Sequence, residues 1–287
     1  MRNRLPAWFK QELPDSSVLE LQKQLKAGNI HTVCQEARCP NINSCFKRHT
    51  ATFLILGDTC TRACAFCAVK KFSCGKVADP DEPARVASIV RKMKLAYVVI
   101  TSVTRDDLED GGAQVFINTV GEIRKVSPKT KIELLIPDFK GKREIIKAVV
   151  GTKPDMLGHN LETVRRLYPM ARPQADYKRT LEVLKLIKEF NPMMITKSSL
   201  MLGLGESTSE LITAMRDLRI TGCDILVMGQ YLSPSKDHYP VKEFLSPEKF
   251  DELAKLAKTM GFRKVLSGPK MRSSFQSSSV YRELNYA

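Results

Sequence analysis

The sequence predicts an α/β fold, namely a partial (β/α)6 TIM-like barrel with an N-terminal and a C-terminal extension. Short apolar runs alternate six times with helical patterns through the middle of the chain. Such alternation favours parallel strands, because parallel strands need a crossover connection. The chain has 287 residues, which suits one barrel of ~200–250 residues plus extensions. An open doubly wound sheet would produce a similar pattern.

The elements divide the chain into three predicted parts. Residues 1–50 form an N-terminal extension, in which Ser17 and Glu20 fit a capping box that begins a short helix and Gly28 fits its end. Residues 51–265 form the barrel. Its predicted strands are 52–56, 97–101, 132–136, 156–158, 194–202 and 225–228, and its predicted helices are 84–94, 114–126, 142–149, 180–190, 209–220 and 247–260. Residues 266–287 form a serine-rich C-terminal tail that we expect to cross the surface or a cleft.

Composition narrows the classes of function. The formal net charge is +15, from 46 basic and 31 acidic residues, and favours an acidic partner. The basic residues are scattered rather than grouped with aromatics, so we expect no nucleic-acid partner. No run approaches the ~20 apolar residues of a membrane helix, so we expect no membrane association. The N-terminus resembles neither a signal peptide nor a transit peptide, so we expect a cytoplasmic protein.

Six of the eight cysteines fall within residues 34–67, in two groups of three, which indicates metal ligands rather than disulfides. Cys60, Cys64 and Cys67 have the spacing C-x3-C-x2-C directly after the first predicted strand, at the mouth of the barrel. Three thiolates can hold three irons of a [4Fe–4S] cluster and leave the fourth iron open. The alternative is structural zinc, but such sites usually have four protein ligands.

Cys34, Cys39 and Cys45 form the second group, with the spacing C-x4-C-x5-C. Three thiolates would again need a further ligand to complete a second [4Fe–4S] cluster. The alternative is a structural zinc site that takes a fourth ligand from His31, His49 or Cys74. Spacing alone leaves both interpretations open.

Two resemblances bear on this choice. The motif C-x3-C-x2-C with an aromatic residue before its last cysteine resembles the radical S-adenosylmethionine superfamily. The two cysteine groups in this order resemble the lipoyl synthase family, and the resemblance runs from about residue 31 to residue 274. Further segments similar to that family are 98–112, 135–141, 158–163, 172–177 and 229–240.

The resemblance implies a sulfurtransferase that inserts two sulfur atoms, at C6 and C8, into an octanoyl chain on a lysine of a lipoyl carrier domain. It implies two [4Fe–4S] clusters and S-adenosyl-L-methionine as cofactors. The implied carriers are 2-oxoacid dehydrogenase E2 subunits and the glycine cleavage H protein, and the implied electron donor is ferredoxin or flavodoxin. Two rivals stay open: a radical enzyme whose second cluster only relays electrons, and a non-catalytic iron–sulfur or zinc protein.

The family also has a C-terminal Arg-Ser-Ser-Tyr motif, which here reads Arg272-Ser273-Ser274-Phe275. By position, Ser274 matches the serine that completes the second cluster, and we expect it to leave the iron during the reaction. Without the resemblance, both serines would be read as solvated tail residues. Phe275 replaces the family tyrosine and loses its hydroxyl group.

The resemblance further implies contacts with S-adenosylmethionine. Phe66 is expected near the adenine. Asn160 and Glu162 resemble a biotin synthase motif that holds the ribose hydroxyls, and an amide and a carboxylate suit a diol. Arg179 is expected to pair with the methionyl carboxylate. An ion pair on a helix surface is the alternative for Arg179.

Overall fold

The structure is a computed structural model that describes residues 6–9, 13–48, 50–73 and 77–286. Its strands are β1 (His31–Thr32), β2 (Thr52–Ile55), β3 (Thr59–Cys60), β4 (Lys70–Lys71), β5 (Tyr97–Ser102), β6 (Lys131–Leu135), β7 (Met156–Gly158), β8 (Thr196–Leu202), β9 (Ile225–Gln230) and β10 (Lys264–Gly268). Its α-helices are α1 (Ser16–Ala27), α2 (Val33–Glu36), α3 (Ile42–Lys47), α4 (Glu82–Lys92), α5 (Ala113–Val126), α6 (Arg143–Gly151), α7 (Tyr168–Ala171), α8 (Tyr177–Phe190), α9 (Thr208–Ile220), α10 (Pro247–Thr259) and α11 (Ser277–Tyr286).

In the described part of the chain, the main sheet has eight strands in the order β1-β2-β5-β6-β7-β8-β9-β10. Neighbouring strands are parallel from β2 to β10, and β1 pairs with β2 in the antiparallel sense. Within the described chain β10 does not pair back to β1 or β2, so the sheet is not closed. The predicted α/β partial barrel is thereby confirmed, with a strand at each of the six predicted positions.

The strand β10 is a seventh parallel strand that sequence reasoning missed. Its residues Lys264, Ser267 and Gly268 are polar or small, and only Val265 in it is buried. It lacks the continuous apolar run by which the other strands are recognised. It crosses the predicted boundary at residue 265, and the division of the chain into three parts stays a prediction.

The first helix begins earlier than the capping box predicts. The carboxylate of Asp15 accepts a hydrogen bond from the backbone N–H of Val18 at 3.2 Å, which is the bond an N-cap residue makes. Helix α1 therefore starts at Ser16 rather than after Ser17. Val18 and Leu25 on this helix are buried in the same core as the barrel strands.

The C-terminal helix is packed rather than loosely draped. Val280 and Tyr281 of α11 join a small apolar cluster with Met156, Ile195 and Ile225, which lie at or beside the first residues of β7, β8 and β9. Helix α11 thus covers the amino-terminal end of the barrel. In the described part of the chain, no helix has both the length and the apolar character needed to cross a bilayer.

Candidate active site

The loop that carries Cys60, Cys64 and Cys67 begins with a tight turn at the end of β2. Leu56 and Gly57 have φ values of 67° and 77°. The carboxylate of Glu82, at the start of α4, accepts the backbone N–H groups of Leu56 at 2.7 Å and of Gly57 at 3.2 Å. This buried carboxylate holds the strained turn in place and directs the chain toward the cysteines.

The backbone of the cysteine loop is fixed by neighbouring strand ends. The sulfur of Cys60 accepts hydrogen bonds from the backbone N–H groups of Arg62 at 3.4 Å and Thr104 at 3.3 Å. Ala65 donates to the carbonyl of Ala171 at 2.9 Å. His238, on the loop after β9, lies with Nε2 3.1 Å from the carbonyl oxygen of Cys67. These bonds hold the loop over the carboxyl ends of the strands, where barrel enzymes place their sites.

Burial makes the thiols of Cys64 and Cys67 hard to ionise in the absence of a positive partner. It raises the pKa of Cys67 to about 12 and also raises the pKa of Cys64. The neighbouring thiols add to both shifts, because like charges repel. The guanidinium of Arg172 acts in the opposite direction and lowers the pKa of Cys64.

Asn160 and Glu162 lie together just beyond β7. The amide nitrogen of Asn160 donates to Glu162 Oε1 at 3.0 Å. Glu162 has a φ of 67°, and its backbone bridges to Ser199 and Met201 of β8. Burial raises the pKa of Glu162, and Arg172 counteracts that shift. The structure thus brings this predicted pair to the same rim as the Cys60 loop.

Arg172 is a site residue that sequence reasoning missed. Its Nη1 donates to the carbonyl oxygen of Asn160 at 3.2 Å and to the hydroxyl of Tyr168 at 3.1 Å. Its Nε is buried and has no hydrogen-bond partner among the described residues. A buried guanidinium nitrogen of this kind is a donor available to an anionic ligand. Its place in the family-like segment 172–177 was the available signal.

Arg179 occupies a different position. It pairs with Asp138 at 2.7 Å, and Asp138 also binds Arg62 at 2.6 Å. Burial alone would raise the pKa of Asp138, but hydrogen bonds and attraction from Arg62 hold that pKa well below its usual range. Arg179 therefore reaches the cysteine loop indirectly, through Asp138 and through Gln174, whose side chain bonds Ala63 of that loop. Its predicted contact with the methionyl carboxylate stays a prediction. Phe66 is half-buried against the core, and its role likewise stays a prediction.

The second cysteine group lies on α2, α3 and the loop between them. Burial raises the pKa of Cys34 to about 12, and repulsion from Cys39 and Cys45 adds to it. The backbone of Thr52, at the start of β2, hydrogen-bonds the sulfur of Cys34 and partly counteracts the shift. Of the three alternative zinc ligands, His31 pairs with Glu36 at 3.3 Å. His49 and Cys74 lie outside the described residues.

Ser274 is brought next to this group by Thr52. The hydroxyl of Thr52 donates to Ser274 Oγ at 2.7 Å, while its backbone bonds Cys34. The preceding residue reaches the other site, because Ser273 Oγ donates to Asn160 Oδ1 at 3.0 Å. Two adjacent serines of the tail thus contact the surroundings of both cysteine groups.

Comparison with known proteins identifies the family. The family model of the radical SAM superfamily matches residues 54–218, and that of the N-terminal domain of lipoyl synthase matches residues 1–39. The chain is 51% identical to the lipoyl synthase of Caldicellulosiruptor saccharolyticus over 276 residues, covering 96% of each chain. It is 53% identical to that of Geotalea uraniireducens over 272 residues, covering 95% of each.

Solved structures agree in fold. Methylornithine synthase superposes with a TM-score of 0.57 at 13% identity, covering 74% of this chain and 63% of that chain. Streptococcus suis SuiB bound to S-adenosylmethionine superposes with a TM-score of 0.57 at 14% identity, covering 86% and 59%. With relatives of about half-identical sequence along nearly its whole length, the chain belongs to the lipoyl synthase family of the radical SAM superfamily.

Proposed function

We propose that this enzyme inserts two sulfur atoms, at C6 and C8, into an octanoyl chain bound to a lysine of a lipoyl carrier domain. The observation that carries the proposal is the position of the tail. Ser274 contacts Thr52 beside the group formed by Cys34, Cys39 and Cys45, called here the Cys34 group. Ser273 bonds Asn160 beside the group formed by Cys60, Cys64 and Cys67, called here the Cys60 group. A tail that contacts both groups suits a reaction in which a radical generated at one site meets sulfur held at the other.

The donor sets fit two four-iron clusters. Each group offers three cysteines, and all six are free thiols. Three thiolates can hold three irons of a four-iron cluster, whereas structural zinc sites usually have four protein ligands, so each group favours a cluster. We expect about eight irons per chain after anaerobic reconstitution.

The residues of the chain have distinct tasks in this proposal. When bound, the cluster on Cys60, Cys64 and Cys67 supplies the electron that cleaves S-adenosylmethionine and yields a carbon radical. Asn160 and Glu162 bind the ribose hydroxyls, and the free Nε of Arg172 meets the methionyl carboxylate. No acid or base can activate an unactivated methylene, which is why radical chemistry is required.

The Cys34 group would hold a cluster whose inorganic sulfide supplies the inserted sulfur, with Ser274 as a ligand that can be released. An oxygen ligand matches iron less well than thiolate does, so Ser274 would be released more readily than Cys34, Cys39 or Cys45. Its contact with the Thr52 hydroxyl provides an alternative partner at 2.7 Å once it has left. Ser274 is therefore catalytic in the sense that its departure opens the site.

The partners follow from this chemistry. The proposed substrates are octanoylated domains such as 2-oxoacid dehydrogenase E2 subunits and the glycine cleavage H protein, and ferredoxin or flavodoxin is the proposed electron donor. A cytoplasmic location is part of the proposal, because a reducing compartment keeps the cysteines free.

The test is anaerobic incubation with an octanoyl-lysyl peptide, S-adenosylmethionine and a reductant, followed by mass spectrometry. The proposal predicts a peptide that carries two sulfur atoms, together with deoxyadenosine. Deoxyadenosine without sulfur in the peptide would favour the enzyme whose second cluster only relays electrons. No cleavage of S-adenosylmethionine would favour the non-catalytic iron–sulfur or zinc protein. A variant with Cys60→Ala, Cys64→Ala and Cys67→Ala is the control and should produce neither compound.

A further inference from the structure

A buried ionic group inside the barrel has no part in the chemistry above. Lys197 of β8 forms an ion pair with Glu133 of β6, and their side chains are only 2% and 1% exposed. Tyr97 of β5 donates its hydroxyl to the other oxygen of Glu133 at 2.5 Å. Lys197 also donates to Ser277 Oγ at 2.7 Å. Ser277 is the first residue of α11.

Stability alone does not account for this buried ion pair. A buried ion pair often contributes no more stability than apolar side chains of similar size, because both charges lose their water. Interaction of Lys197 with the dipole of α11 does not account for it either, because a cation near the first turn of a helix is unfavourable. The feature that distinguishes Lys197 is its bond to Ser277, which ties the C-terminal segment to the barrel interior.

The segment between β10 and α11 is held at both ends. After Gly268 it crosses the inner side of β9 so closely that a Cβ on Gly229 would lie 2.0 Å from the carbonyl oxygen of Met271. At the far end, the backbone N–H of Ser277 contacts the carbonyl oxygen of Ser274 at 3.5 Å. Lys197 thus holds the residue whose backbone touches Ser274.

We propose that the buried Lys197–Glu133 pair is a positioning device, which anchors Ser277 and thereby sets Ser274 against the Cys34 group. The inference rests on the proposed function, because it takes Ser274 as the ligand that completes the second cluster. Lys197 acts through Ser277 and is a positioning residue. The side chain of Glu133 keeps the ammonium group in place, and the Tyr97 hydroxyl fixes that carboxylate.

The test isolates the second cluster and reads its ligands rather than activity. In a background of Cys60→Ala, Cys64→Ala and Cys67→Ala, about four irons should remain per chain. The Mössbauer and EPR spectra of this cluster are recorded with Ser274 intact and with Ser274→Ala, which defines the signature of the missing ligand. Ser277→Ala removes only the hydroxyl that Lys197 binds. Lys197→Met with Glu133→Gln removes both charges together, so that no buried charge is left unpaired.

Ser277→Ala and the double variant should both shift most of the cluster to the Ser274→Ala signature while the iron content stays unchanged. Ser279→Ala, an exposed serine on the same helix, is the matched control and should keep the parent spectrum. If both test variants keep the parent spectrum while Ser274→Ala has a different one, the positioning role is wrong and the ligand assignment of Ser274 stands. A Ser274→Ala spectrum identical to the parent would overturn the ligand assignment of the proposed function and the inference together.

Discussion

At the scale of single residues, a buried histidine makes the free energy of unfolding depend on pH. His159 is 2% exposed, with Nδ1 2.8 Å from the carbonyl oxygen of Ile136. Burial lowers its pKa from 6.5 to about 4, and the nearby Arg172 guanidinium adds to that effect. Between these values the unfolded chain binds a proton that the folded chain does not. The free energy of unfolding should therefore fall as the pH drops from 6.5 to about 4.

The expected loss is roughly 3 kcal/mol across this range, since one pKa unit corresponds to about 1.4 kcal/mol. His159→Gln keeps a polar side chain that does not titrate, so its stability should change less over the same interval. Urea unfolding of both proteins at several pH values measures the difference. Parallel pH dependence in the two proteins would show that another group is responsible.

Arg172 and Arg179 permit a direct comparison of two guanidinium groups. Arg172→Lys retains the charge but loses the planar donor fork. Because charge-assisted hydrogen bonds contribute about 1.5–3 kcal/mol, we expect S-adenosylmethionine to bind roughly 10- to 100-fold more weakly, with normal iron content. Arg179→Lys is the matched control, and its affinity should be close to wild type because Arg179 already pairs with Asp138. Calorimetric titration that found the reverse order would reinstate Arg179 as the carboxylate ligand.

At the scale of elements, continuous apolar runs made six strands predictable from the sequence, namely β2, β5, β6, β7, β8 and β9. Strand β10 has no such run. The cysteine loop and the Asn160–Glu162 pair follow strands directly, so their meeting at one rim could be foreseen. The anchoring of the C-terminal tail by Lys197 could not be foreseen from the sequence. Lys197 and Ser277 are 80 positions apart in the sequence, and no local pattern pairs a buried lysine with a serine in a polar tail.

The tail segment also explains a glycine in β9. Gly229 and Gly268 are register partners in β9 and β10, and only Gly229 lies against the tail backbone. A Cβ at Gly229 would meet the Met271 carbonyl oxygen at 2.0 Å, whereas one at Gly268 would meet a Met271 side-chain atom at 3.7 Å. Gly229→Ala should therefore lower stability by about 1–3 kcal/mol and raise hydrogen exchange in residues 269–276. Gly268→Ala should do neither, and equal effects of both substitutions would contradict the close crossing.

At the scale of the whole molecule, the net charge of +15 favours electrostatic attraction of an acidic carrier domain. Electrostatic attraction to an acidic domain weakens with salt, because the Debye length falls from ~10 Å at 0.1 M to ~3 Å at 1 M. Modification of a carrier domain should thus decline with salt more steeply than modification of a short, neutral octanoyl-lysyl peptide. Initial rates for both substrates across a salt series give the comparison. The same decline for both would leave the basic surface without a docking role.

We propose that a cluster on Cys34, Cys39 and Cys45 is consumed as the source of sulfur. The most direct measurement reconstitutes the enzyme with heavy-isotope sulfide, removes free sulfide, and runs the reaction with unlabelled reagents. Mass spectrometry of the octanoyl-lysyl peptide should show two heavy sulfur atoms in each product, with about one product per chain. A product that carries light sulfur from another source would contradict the claim.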